Sequence, residues 1–384
     1  MYLKKKYVKI LKEGDSMYYF DYSATTKTDK EVLNRFNEVS QNYFGNANSS
    51  YDFAKKCKNI IDESSEIIAN YFNILPNEII YTSGASEANN LAIKGVAELT
   101  DKKHIITTKI EHSSVVSTLS YLQSKGYKID FVNMTKEGTV DIDHLKSLIS
   151  DDTFLVTMCG VDSELGIKQP FEEVGKILSG YDNIIFHVDI TQCLGKIPVD
   201  LENVDLASFS GHKIYAPKGI GALIKKNTVK LSPLIHGGKS TTVYRSGTPQ
   251  NELIASLAKA IELLAPNVEK YYDKVKELNL YLKEKLDGVA LINSTDKSIP
   301  NVLNISLPGV QKQAIQDYLA TKEIYVSLNT ACSLNNDYSK AVYELYNDMD
   351  RAKSSIRVSL SYKTTKEEID YLVKNIREYL NENN

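Results

Sequence analysis

The strongest constraint on this chain is a repeated alternation. Short apolar runs rich in β-branched and aromatic residues end at turn residues, and stretches with helical spacing lie between them. The runs are Glu78-Ile79-Ile80-Tyr81-Thr82, His104-Ile105-Ile106-Thr107, Thr153-Phe154-Leu155-Val156-Thr157-Met158 and Ile184-Ile185-Phe186-His187-Val188. They are too short to stand as helices, and their side chains suit a pleated, buried surface. Ser86 to Glu98 and Phe171 to Leu178 read as helices. Parallel strands need a crossover, so this alternation predicts an α/β fold with a mostly parallel sheet covered on both faces.

The texture changes after about Asn251. Glu252 to Leu264 and Asn267 to Leu286 read as helices, the second rich in Lys and Glu. Lys366 to Leu380 sets Ile369, Leu372, Val373, Ile376 and Leu380 on one helical face, with Thr365 and Glu368 spaced as a capping box. The C-terminal third is therefore expected to form a smaller α+β domain.

Composition narrows the class. The chain has 384 residues, 42% hydrophobic and 25% charged, which suits a globular protein of more than one domain-sized unit. Lys+Arg minus Asp+Glu is 46 − 49 = −3, so no overall electrostatic case exists for direct nucleic-acid binding. Cys57, Cys159, Cys193 and Cys332 form no C-x-x-C pair, which argues against a zinc ribbon or thioredoxin-like site, and no metal site is expected. Sparse cysteines in a long chain fit a reducing, cytoplasmic compartment. No apolar run nears the ~20 residues of a membrane span. Lys9 and Lys12 interrupt the apolar residues after Lys4-Lys5-Lys6, so a solvated leader is expected rather than a signal peptide.

Four stretches carry the chemistry. In Tyr81-Thr82-Ser83-Gly84-Ala85-Ser86 a strand gives way to a helix at a glycine, where free N–H groups and the Ser86 hydroxyl would hold an anion; an ordinary turn with a serine N-cap is the plainer reading. Asp189 closes an apolar strand, where ligands of open α/β sheets gather, and could meet a cationic ring nitrogen or cap the next helix. Lys213, in Ser210-Gly211-His212-Lys213, could form a Schiff base if partly buried, although most lysines are simply solvated. His112 follows another strand and could stack on a flat cofactor, move protons, or act as a hydrogen-bonded loop residue. Together these are the four needs of pyridoxal phosphate: an anion cradle, a carboxylate, an amine and a planar partner. The G-x-G-x-x-G string of a dinucleotide site is absent.

These blocks, in order, resemble the cysteine desulfurases, fold-type I pyridoxal phosphate enzymes of the class V aminotransferase type, and most of all their housekeeping IscS/NifS-like group. The likeness runs from about Tyr19 to Tyr371. It rests on Phe20-Asp21-Tyr22-Ser23-Ala24-Thr25-Thr26, Tyr81 through Ile93, Glu111-His112, His187-Val188-Asp189 with Gln192, Ser210-Gly211-His212-Lys213, Arg245-Ser246-Gly247-Thr248, Ala331-Cys332-Ser333 and Ser355-Ile356-Arg357-Val358-Ser359-Leu360.

The resemblance implies a large cofactor-binding domain with a mostly parallel seven-stranded sheet over residues 28–262. A smaller α+β domain carrying the cysteine loop would span 263–384, and residues 1–27 would form a segment joining the small domain. It implies that Lys213 holds the cofactor and moves the substrate α-proton, that Asp189 pairs with the pyridine nitrogen, and that Gln192 meets the ring hydroxyl. His112 would stack on the ring and transfer protons. Ala85, Ser86, Ser210 and His212 would hold the phosphate, and Thr248 would reach the phosphate of a neighbouring subunit in a homodimer. Arg357 would clamp the substrate carboxylate, with Ser163 beside it. Cys332 would take sulfur from L-cysteine as a persulfide, releasing L-alanine. The sulfur would pass to an iron–sulfur scaffold or a tRNA-thiolation protein. The other three cysteines match no family motif and are expected to be structural.

The sequence departs from the family pattern at several points. Ser163 stands in Val161-Asp162-Ser163-Glu164 where an asparagine is usual, and a hydroxyl lacks the paired donor and acceptor of an amide. Gly237-Gly238-Lys239-Ser240-Thr241-Thr242 replaces a segment with more glycine and charge. Tyr51 stands for a histidine, Asn329 for a glycine before the cysteine, and Ser361 for a glycine after the arginine strand. Three other readings stay open: a related enzyme of altered substrate, such as a selenocysteine lyase; a non-catalytic scaffold; and a nucleotide-binding domain.

Overall fold

The computed structural model describes residues 17–328 and 337–383. Its strands, in chain order, are β1 (Tyr18–Tyr19), β2 (Ile79–Thr82), β3 (His104–Thr107), β4 (Lys128–Phe131), β5 (Thr153–Cys159), β6 (Ile185–Asp189), β7 (Leu206–Ser210), β8 (Gly221–Lys225), β9 (Leu291–Ile292), β10 (Val302–Ser306), β11 (Ile324–Tyr325) and β12 (Ser355–Ser359). β2 to β8 form one seven-stranded sheet in the order β2-β8-β7-β6-β5-β3-β4. All neighbours pair in parallel except at β8, which runs against both β2 and β7. The expected α/β architecture is the observed one.

The sheet separates two apolar layers, and the strand period of two sorts side chains between them. Ile79 and Tyr81 enter one core and Ile80 the other; Ile106 and Ile105 divide the same way. The helix Ala85–Ala97 covers one face, with Leu91, Ala92 and Val96 buried there. The helix Phe171–Leu178 covers the other through Phe171, Val174 and Leu178. Glu78 belongs to a short 3-10 turn rather than to β2, and β5 and β6 each reach one residue beyond the runs read from sequence, to Cys159 and Asp189.

A second core lies around the small sheet β12-β10-β9. Leu303, Ile305, Ile356 and Val358 meet Val275, Leu278 and Leu282 of the helix Val268–Lys285 and Ile369, Leu372 and Ile376 of the helix Lys366–Asn383. The capping box expected at the last helix is present: Thr365 N donates to Glu368 Oε2 at 2.8 Å, and Glu368 N donates to Thr365 Oγ1 at 3.2 Å. Near the N-terminus, β1 pairs with β11 and Asp21 bridges to Ser359. This draws Asp21 to Thr26 across the chain between the second core and the carboxyl ends of the large sheet. No described helix is long and apolar enough to cross a membrane.

Candidate active site

The carboxyl ends of β2, β5, β6 and β7 open into one cavity of about 420 Å3. At β2 the chain turns through Ser83 and Gly84 into the helix Ala85–Ala97. Gly84 has φ 154° and ψ 179°, a backbone region open essentially to glycine, and supplies no side-chain cap. Ser86 is therefore not the N-cap; it lies in the first turn. Uncapped first-turn N–H groups favour an anion. Ser210 and His212, from the end of β7 and the turn after it, line the same cavity.

Asp189 is the last residue of β6 and is 5% exposed. Its Oδ2 accepts from Asn89 Nδ2 at 2.8 Å and its Oδ1 from Thr191 N at 3.0 Å. The carboxylate is thus braced from the helix Ala85–Ala97 as well as from its own turn. Asn89 also donates to Ser114 Oγ at 2.9 Å, tying Asp189 to the start of the helix Ser113–Gln123.

His112 caps that helix. Ser114 N donates to its Nδ1 at 3.2 Å, which leaves Nε2 to carry the ring proton. Burial holds its pKa below the usual value; the Asp189 charge opposes this and the Lys213 charge adds to it. His212 is lowered further, to about 4, by burial and then by Lys213 and Lys218. Both rings are neutral near pH 7.

Lys213 ends a 3-10 turn that follows β7 directly. Its Nζ donates to the carbonyls of Ser23 at 2.5 Å and Ala24 at 2.6 Å. Gln192 Nε2 donates to the same Ser23 carbonyl at 3.0 Å. Arg357, in β12, enters from the second core and is 2% exposed. Its Nη1 donates to the Ser163 carbonyl at 2.7 Å and its Nη2 pairs with Asp21 Oδ1 at 2.8 Å, while buried Nε meets no partner among the described residues.

Ala85, Ser86, His112, Ser163, Asp189, Gln192, Ser210, His212, Lys213 and Arg357 therefore line one cavity. Thr248 does not line it and is exposed. Cys332 lies outside the described residues. Sequence reasoning missed the bracing residues Asn89 and Asp21, although both sit in motif stretches already singled out. It also missed that Cys159, one of the three cysteines expected to be structural, forms part of the cavity wall; its thiol is buried and its pKa raised by that burial.

This donor set fits pyridoxal phosphate. The uncapped helix start with Ser210 and His212 suits a phosphate, Asp189 a pyridinium nitrogen, and Lys213 an aldehyde carbon. Among the described residues no cluster of His, Cys, Asp or Glu could hold a metal ion.

Comparison with known proteins agrees with this chemistry. The aminotransferase class-V family matches residues 18–372. A relative from Clostridium botulinum named cysteine desulfurase IscS is 37% identical over 367 residues, covering 93% of this chain and 92% of its own. A protein of the same name from Rickettsia bellii is 38% identical over 378 residues, 94% of this chain and 91% of its own. A solved NifS-like protein superposes with TM-score 0.90 at 34% identity, covering 95% of this chain and 100% of that one. A structure described as SspA in complex with cysteine has TM-score 0.80 at 30% identity, over 91% and 100%.

Proposed function

The chain belongs to the class V aminotransferase family and, within it, to the cysteine desulfurases; from that premise we propose how its own residues take sulfur from L-cysteine. The observation that carries the reading is the convergence of Lys213, Asp189, His112 and Arg357 on one cavity. Bound pyridoxal phosphate supplies an electron sink for negative charge at the substrate α-carbon.

The residues divide the remaining work. The first-turn N–H groups at Ala85 and Ser86, with Ser210 and His212, bind the phosphate. Asp189, braced by Asn89 and Thr191, holds a proton on the ring nitrogen. Gln192 orients the ring hydroxyl. Lys213 holds the cofactor and moves the α-proton, and neutral His112 stacks on the ring and relays protons at Nε2. Arg357, beside Ser163, binds the substrate carboxylate, where a guanidinium fork fits best. The Cys332 thiolate attacks the substrate sulfur; a sulfur–sulfur bond forms as the carbon–sulfur bond breaks, and the carbon gains a proton to give L-alanine. The persulfide on Cys332 then passes to an acceptor protein, an iron–sulfur scaffold or a tRNA-thiolation protein.

Thr248 serves a neighbouring subunit's phosphate in a homodimer, a reading its exposure supports. The division into residues 28–262 and 263–384, with 1–27 joining the smaller part, is supported by the separate core around β10 and β12. Among the described residues Cys57, Cys159 and Cys193 form no disulfide, which supports a reducing cytoplasm.

The test is cysteine turnover under reductant by wild type beside Cys332→Ala. The variant is expected to bind pyridoxal phosphate with an unchanged absorption spectrum and to release no sulfide. Equal sulfide release by both proteins overturns the assignment of Cys332.

A further inference from the structure

Behind the cavity lies a second lysine. Lys196 follows the turn after β6 and, with Lys213, Tyr22, Tyr271 and Tyr362, lines a small space of about 20 Å3. Its Nζ donates to Gln192 Oε1. Gln192 Nε2 donates onward to the Ser23 carbonyl, which also accepts from Lys213 Nζ. One continuous run of hydrogen bonds therefore joins the two lysines through a single side-chain amide and a single backbone carbonyl.

The chemistry of the ends fixes the middle. A carbonyl can only accept, so the Gln192 nitrogen must face Ser23, and the Gln192 oxygen is then the atom that accepts from Lys196. Without Lys196 the amide keeps that orientation through the Ser23 carbonyl alone and loses the second contact that holds it in place. We propose that Lys196 is a positioning residue of the desulfurase reaction, the second of two holds that, with the Ser23 carbonyl, keep the Gln192 N–H group in place beside Lys213. The inference rests on the pyridoxal phosphate reading above and names the determinant of one of its contacts.

The groups that face Lys196 agree with this. Burial lowers its pKa to about 7, with the Lys213 charge the next cause; the Cys193 thiol opposes the shift and Arg357 adds to it. A poorly hydrated amine of this kind gains from a strong acceptor such as the Gln192 oxygen.

The test uses full-length protein stripped of cofactor and titrated with pyridoxal 5′-phosphate. In Lys196→Met the amide is held at its nitrogen end only. The dissociation constant is expected to rise on the order of tenfold, and the pH midpoint of the lysine-bound absorption band to move by about one unit. Lys196→Arg keeps a donor toward the Gln192 oxygen and is expected to return most of that shift. In a Gln192→Ala background, Lys196→Met is expected to move the midpoint much less, by the direct effect of the lost charge alone. A wild-type midpoint in Lys196→Met, or an undiminished shift in the Gln192→Ala background, overturns the proposal. Should Lys196→Met not fold, Gln192→Glu is read instead, since it sets a second oxygen against the Ser23 carbonyl; an unmoved midpoint there overturns the proposal equally. A wild type that takes up no pyridoxal phosphate overturns the desulfurase reading itself, and this inference with it.

Discussion

Arg357 Nη2 lies 2.8 Å from Asp21 Oδ1, so the guanidinium assigned to the substrate carboxylate already holds a carboxylate of the chain itself. The arginine is almost wholly enclosed and the aspartate is 21% exposed. An incoming substrate carboxylate must share a charge that Asp21 partly neutralises. Asp21→Asn frees that charge, and its KM for L-cysteine is expected to fall several-fold, up to about tenfold. The same change leaves a buried cation without its counter-ion and is expected to lower the melting temperature. A rise in KM in steady-state assays would mean that Asp21 chiefly orients the guanidinium.

Arg357→Lys keeps the positive charge but loses the planar fork. It is expected to raise KM on the order of a hundredfold, with the cofactor spectrum intact. A loss of cofactor binding instead would place Arg357 in the fold of the site rather than at the substrate.

Ser163 meets Arg357 through its backbone carbonyl, not its hydroxyl. The turn that presents it is built by buried Asp162, which accepts from the N–H groups of Glu164, Leu165 and Ile167 at 2.8, 3.0 and 2.9 Å. Ser163→Asn adds an amide at a prepared position, and one further hydrogen bond of about 1 kcal/mol corresponds to roughly a fivefold lower KM for L-cysteine. Comparing L-cysteine with selenocysteine and cysteine sulfinate in both proteins checks this, and unchanged ratios count against a substrate role for position 163.

Two neutral histidines make the fold sensitive to acid. His187 is fully buried between Thr157 and Ser208, and burial lowers its pKa; His212 is lowered to about 4. Unfolded histidines bind protons near pH 6.5, so the unfolded chain takes up protons that the folded chain refuses. Stability from these groups is full above about pH 6.5 and is lost as the pH falls toward 4. Calorimetry is expected to show a melting temperature that declines over this range, with a shallower decline in His187→Gln. Parallel declines would remove His187 from the account.

Gly221 stands opposite Thr82 on one side and Ser210 on the other. A Cβ there would lie 2.5 Å from the Phe209 carbonyl and 2.7 Å from Gly84 Cα. Gly221→Ala is expected to cost at least about 2 kcal/mol, measured by denaturant titration, and to weaken pyridoxal phosphate binding with it. Stability loss with unaltered cofactor affinity would separate the strand from the cradle.

How much of this was legible in the sequence depends on where each residue's signal lay. β3 and β5 announce themselves as unbroken β-branched runs because both their faces are covered. β4 reads Lys128-Ile129-Asp130-Phe131 and sits at the sheet edge, partly exposed, so no apolar run marks it. The helix Asp52–Phe72 hides behind Ser64 and Ser65, polar residues that are buried because their hydroxyls donate to the carbonyls of Ile60 and Ile61. In the site, the cavity-lining residues proposed to hold the cofactor lie in compact motifs, and these could be read. Bracing contacts could not: Asn89 and Asp189 lie 100 positions apart, and Asp21 and Arg357 lie 336 apart, so only the folded chain brings them together.

The reversed strand β8 has a consequence for the reaction. Because it starts where its neighbours end, one backbone is stitched on either side to the turn proposed to hold the phosphate and to the turn that carries Lys213. The span between anchor and grip is thereby set by a hydrogen-bond ladder rather than by loops. Arg357 belongs to the other sheet, so contacts made there do not run through that ruler.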